Sequence, residues 1–199
     1  MPLTEADRKL LLEHSRCVLE RTARGQSIPI LENAPAAIQV FCGAFVTLRP
    51  SHGELRGCMG RVLATAPLFQ TVADCTVDAA RHDPRFSPVM PHELAAIGIE
   101  ISVLSAIEAA RPEAVEVGRH GLIISLGARR GLLLPQVPVQ WGWERERFLN
   151  ETCLKAGLPW EAWRHGAQIQ VFTAEVFAEP HLTADEFAPA VAQSNSETG

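Results

Sequence analysis

With 199 residues, 47% of them hydrophobic and 21% charged, the chain can bury one sizeable core or two small lobes. A net charge of −5 and scattered basic residues argue against a general nucleic-acid binder, which carries a basic face or stripe. The five cysteines form no CxxC and no zinc-ligand spacing, no apolar run approaches the ~18 residues of a membrane span, and free thiols without an export signal point to a reducing cytoplasm.

Residues 4–24 read as a helix. Thr4 can cap it, Asp7 stands in its acidic first turn, and Gly25 follows Arg21 and Arg24. Leu10, Leu11, His14, Cys17 and Val18 share one stripe at helical spacing. Residues 26–40 hold Pro29 and Pro35 and read as an irregular connection with a short helical turn at 35–39. Residues 41–49 read as a strand covered on both faces, because Phe41, Gly43, Phe45 and Thr47 alternate with Cys42, Ala44, Val46 and Leu48. Pro50-Ser51-His52-Gly53 is turn chemistry, and residues 54–59 return antiparallel to complete a hairpin.

A helix follows over 66–81, with Thr65 as its N-cap and Leu68, Val72, Cys75 and Ala79 on its buried stripe. Asp83, before Pro84, ends it, and Asp83 with Arg85 can pin the loop as a local ion pair. Residues 97–104 alternate as a half-buried strand, with Glu100 on the mixed face. Residues 105–120 form a surface excursion. A second hairpin joins 122–126 to 131–134, and Pro135 and Pro138 end the strand or keep it at an edge. Trp141-Gly142-Trp143 suits a packing corner or, less simply, a pocket wall. Residues 144–156 read as a helix, 159–165 as a short helical turn and 168–177 as one last strand. The polar tail over 186–199 has the make-up of a disordered end, which leaves residues 1–185 as the folded domain. Irregularly alternating strands and helices with two hairpins favour an α+β fold, a mixed or antiparallel sheet with flanking helices.

Several stretches come in a familiar order: Gly43-Ala44-Phe45-Val46-Thr47-Leu48, Leu55-Arg56-Gly57-Cys58-Met59-Gly60, Asp83-Pro84-Arg85-Phe86, Glu100-Ile101-Ser102-Val103-Leu104 and Gly131-Leu132-Leu133-Leu134-Pro135-Gln136-Val137. With Phe148-Leu149 and Cys153-Leu154-Lys155-Ala156-Gly157-Leu158-Pro159 they make the chain resemble the AMME chromosomal-region candidate family, whose prokaryotic members are also called AmmeMemoRadiSam system protein A. Met59 stands where the family hexapeptide usually has Ile, a swap that keeps similar volume. The resemblance implies two unequal lobes with the Leu55-Gly60 motif between or beside them. It also implies genomic company with a Memo-like protein and a radical-SAM protein, and it supplies no settled activity and no cofactor.

Three readings of residues 56–60 stand open. In the first, Cys58 is a catalytic nucleophile or redox thiol, ahead of a helix N-terminus and near Arg56, with His82 as a candidate base. In the second, Arg56 and backbone N–H groups freed by Gly57 and Gly60 hold a small molecule or anion, and Glu100 and Gln136 add polar contacts. In the third, the glycines allow close packing and Cys58 is a small buried residue.

Overall fold

The computed structural model describes residues 3–50, 55–63 and 65–180. In chain order the elements are α1 (Glu5–Ala23), β1 (Ala44–Pro50), β2 (Gly57–Arg61), α2 (Leu68–Arg81), β3 (Ile97–Leu104), β4 (Glu108–Ala109), β5 (Gly121–Leu126), β6 (Arg129–Leu133), α3 (Gln136–Gln140), α4 (Arg145–Lys155), β7 (Gln168–Phe172) and β8 (Ala174–Ala178). Among the described residues the strands form two four-stranded antiparallel sheets, β2-β1-β3-β8 and β4-β7-β5-β6. The fold is α+β, with two antiparallel sheets in place of the expected single one.

The chain divides into two compact units. The first runs to Ala106 and takes the chain back from Ala174; the second spans Ile107–Thr173. The 55–60 motif lies in the first unit.

In the first unit, α1 starts as its sequence dictates. Thr4 accepts a bond from the Asp7 N–H and Asp7 accepts one from the Thr4 N–H, a reciprocal cap for two otherwise orphaned donors. Its buried stripe is rotated from the expected one: Leu11, His14, Ser15, Val18, Leu19 and Thr22 are buried, while Leu10 and Cys17 sit half-buried at the margin. α2 buries Leu68, Val72, Cys75 and Ala79 as their spacing requires. Thr65 does not cap it. The helix begins at Leu68, whose N–H donates to the Val40 carbonyl at 2.8 Å, so the preceding chain satisfies that end.

Both helices contribute to one core with alternate residues of β1 and β3. That core holds Leu11 and Leu19, Leu68 and Val72, Ala44, Val46 and Leu48, and Ile97, Ile99, Ile101 and Val103. The register places Val46 opposite Ile101 and Leu48 opposite Ile99, so these side chains share one face. β1 starts at Ala44, later than expected, and Phe41 lies outside it, 66% exposed. β3 is buried at every position, Glu100 and Ser102 included, where alternation alone predicts a half-buried strand.

In the second unit, α4 starts after Glu144, whose side chain makes no cap bond, and buries Phe148, Leu149 and Cys153 against Leu122, Ile124 and Ile169. The one-turn helix α3 falls where Pro135 and Pro138 predict a strand end. Pro138 is tolerated because the first N–H groups of a helix have no partner inside it. Trp141 and Trp143 stack with ring centroids 6.2 Å apart, although Trp141 stays largely exposed. The expected single strand over 168–177 is two strands. β7 pairs with β4 and β5, the chain changes sheets at Thr173, and β8 pairs with β3. The turn expected at 51–53 and the tail expected beyond 185 lie outside the described residues.

Candidate functional site

On the face of the first sheet opposite the helices, the central strands β1 and β3 bury polar residues. Antiparallel pairing sets Thr47 of β1 opposite Cys58 of β2 on one side and opposite Glu100 of β3 on the other. Cys58, Thr47 and Glu100 therefore form one cross-strand row, since directly paired residues project to the same side. Two residues along, Phe45 and Ser102 continue that face, and Arg49 extends it in the other direction. Thr47, Arg49, Glu100 and Ser102 are all buried, and Cys58 is half-buried. The Thr47 hydroxyl donates to Cys58 Sγ at 3.3 Å.

The free edge of β2 is closed by the loop after α2. The Cys58 N–H donates to Asp83 Oδ2 at 2.8 Å, and Arg85 Nη2 donates to the Cys58 carbonyl at 3.3 Å. Arg85 also grips Asp83, Nε to Oδ1 at 2.9 Å and Nη2 to Oδ2 at 2.7 Å. The expected ion pair thus exists and does more than pin its own loop. A carboxylate and a guanidinium act as the acceptor and donor of a missing neighbouring strand, which satisfies an exposed edge.

The electrostatics follow from burial. Burial pushes the Cys58 thiol above its ordinary value; the Thr47 hydroxyl and Arg85 oppose this, and Asp83 and Glu100 add to it. At neutral pH the thiol is protonated, a weak donor and a soft contact surface rather than a ready nucleophile. Burial also raises the Glu100 carboxyl, with the Arg49 charge pulling it back. For Asp83, burial works upward, but the Arg85 side chain and the two backbone donors outweigh it and hold the carboxyl below its usual range.

The other sequence-derived site residues occupy distinct places. Arg56 forks onto Glu93, Nε to Oε1 at 2.7 Å and Nη2 to Oε2 at 3.1 Å, and that bond is the main reason the Glu93 carboxyl sits low. Gly57 and Gly60 are sites of close approach. A Cβ on Gly57 would lie 2.3 Å from the Ala79 carbonyl oxygen of α2, and one on Gly60 would fall inside the Phe45 ring. Gln136, half-buried, begins α3 in the second unit. His82 is an exposed side chain bonded to Asp78 through Nδ1 at 2.9 Å. Sequence reasoning missed Thr47, Arg49 and Ser102. For Thr47 and Arg49 the signal was the alternation Phe45-Thr47-Arg49 within β1, which including Phe41 and Gly43 made look like a second apolar face; Ser102 alternates with Ile101 and Val103 in β3.

Among the described residues, no three His, Cys, Asp or Glu side chains are grouped to hold a metal ion, and no helix is long and apolar enough to cross a membrane.

Comparison with known proteins places this geometry among relatives. The AMMECR1 family profile matches residues 12–177. A protein of Thermococcus gammatolerans is 41% identical over 185 residues, covering 87% of this chain and 90% of its own. The protein MJ0810 of Methanocaldococcus jannaschii is 38% identical over 186 residues, covering 89% and 92%. In three dimensions the chain is similar to a crystal structure of the uncharacterized protein PH0010 from Pyrococcus horikoshii. The TM-score is 0.79 at 36% identity, over 90% of this chain and 95% of that one.

Proposed function

The chain belongs to the AMMECR1 family, and we propose that it is a cytoplasmic protein that binds a small polar molecule on the polar face of its first sheet. The observation that carries this reading is the row Cys58–Thr47–Glu100, a half-buried thiol beside two buried polar side chains, opposite the apolar core residues of β1 and β3. Burying polar groups costs stability wherever bonds are incomplete, so a sheet that needed only to hold helices would fill that face with apolar residues. Within the motif the tasks divide. Gly57 and Gly60 bring α2 and the Phe45 ring close, Arg56 fixes the 88–93 loop through Glu93, and Cys58 and Glu100 are left to face the ligand. An anion at the Cys58 N–H would have to displace Asp83, which already occupies that donor. The family resemblance supports work alongside Memo-like and radical-SAM partners, in which case the protein acts only within a complex.

A second reading, an enzyme with Cys58 as nucleophile or redox thiol, is favoured by the Thr47 hydroxyl on Sγ, which stabilises a thiolate. One experiment separates the two. Limiting iodoacetamide across a pH series, with the modified residues mapped by mass spectrometry, is expected to label Cys58 in the native protein ahead of Cys75 and Cys153, with an apparent pKa at or above the free value of about 8.5. A pKa well below that value favours the enzyme. Labelling of Cys58 only after denaturation overturns both readings and leaves a packing residue.

A further inference from the structure

The charges around the motif are distributed unevenly between committed and uncommitted groups. Arg56 is forked onto Glu93, and Arg85 onto Asp83. Asp83 takes the Cys58 N–H besides. Glu100 stands apart. It is 8% exposed, sits in the Cys58–Thr47 row, and accepts no hydrogen bond from any described residue, its neighbours in charge being Arg49 and Cys58. Ser102, two residues along β3 on the same face, is buried, and its hydroxyl too has no hydrogen-bond partner among the described residues. The Glu100 and Ser102 oxygens are not among the fully enclosed polar atoms that lack a partner, so a bond from solvent or a ligand can reach them.

We propose that Glu100, with Ser102 beside it, receives an ammonium or comparable N–H donor of the ligand, so that the molecule bound on this face is an amine and not an anion. This rests on the reading of the Cys58 row as the site and names its ligand class. Thr47 and Cys58 lie one and two strands from Glu100, so an amine seated on the carboxyl presents the rest of its skeleton to the thiol. The carboxyl fixes the charged end by accepting its N–H bonds, and the uncharged thiol offers a polarizable contact that does not compete for them.

Three thiol-specific probes of comparable chain length test the assignment: 2-aminoethyl, propyl and 2-sulfonatoethyl methanethiosulfonate, which are cationic, neutral and anionic. Their rates at Cys58 of the full chain, read by peptide mass mapping, are divided by their rates with free glutathione. The cationic probe is expected to exceed the anionic one by about tenfold or more, as a nearby carboxylate in a partly shielded site requires. Glu100→Gln is expected to abolish that preference while leaving the neutral rate within about twofold, and Glu100→Asp, which keeps the charge, to retain most of it. Equal rates, an anionic preference, or a preference that survives Glu100→Gln overturns the amine assignment while the site stands. If no probe reaches Cys58 in the native protein, both the assignment and the site reading fall.

Discussion

The two faces of β1 are buried together and built from opposite chemistry. Ala44, Val46 and Leu48 meet Ile99, Ile101, Val103 and the apolar residues of α1 and α2, while Ser15 and Thr76 bond each other between the two helices. Phe45, Thr47 and Arg49 meet Cys58, Gly60, Glu100 and Ser102, among which one hydroxyl-to-thiol bond links the strands. Burial on both faces therefore does not mean equal purpose. The first face supplies the free energy of folding through removed apolar area, and the second keeps groups that contribute little to stability and present chemistry.

Substitutions should separate the faces by size and sign. Leu48→Ala, on the apolar face, opens a cavity under α2 and is expected to lower unfolding free energy by about 3 kcal/mol in urea titrations. A loss under about 1 kcal/mol would mean that this face is loosely packed. Gly57→Ala places a Cβ against the Ala79 carbonyl and is expected to cost about 2–3 kcal/mol, because two backbone segments must separate. Wild-type stability there would show that α2 can slide.

The clasp on β2 gives an intermediate effect with a pH signature. Asp83→Asn is expected to cost about 2 kcal/mol at neutral pH, the scale of hydrogen bonds made by a charged group. Because the folded Asp83 carboxyl lies below its unfolded value, its contribution is complete above that unfolded value, near pH 4, and is lost as pH falls through the folded one. Wild-type and variant stabilities should therefore converge below about pH 4. A constant gap down to pH 2 would assign the effect to shape and not to charge.

What could be read in the sequence was local and periodic. Thr4 and Asp7 announced a cap, and Leu68, Val72, Cys75 and Ala79 a helical stripe, because each signal lies within a few residues. What escaped depended on partners far along the chain. Thr47 reads as one more position of an apolar strand until Cys58 and Glu100 are set on either side of it. Asp83 reads as a helix stop until its carboxylate is seen to bond the Cys58 N–H, 25 residues back. Residues 168–177 carry no break in composition at Thr173, yet the chain leaves one sheet for the other there. Glu100 was visible as a polar residue on a mixed face; its burial was not.

The sharpest test of the division between faces is the urea midpoint of Thr47→Val. The substitution keeps the side-chain shape and removes the single hydroxyl that bonds Cys58 Sγ on the polar face. If that face is kept for ligand chemistry, stability should be unchanged or should rise by up to about 1 kcal/mol, as at other sites where function holds a buried polar group. A loss of more than about 1.5 kcal/mol would show that the hydroxyl holds the sheet together and that the polar face is structural after all.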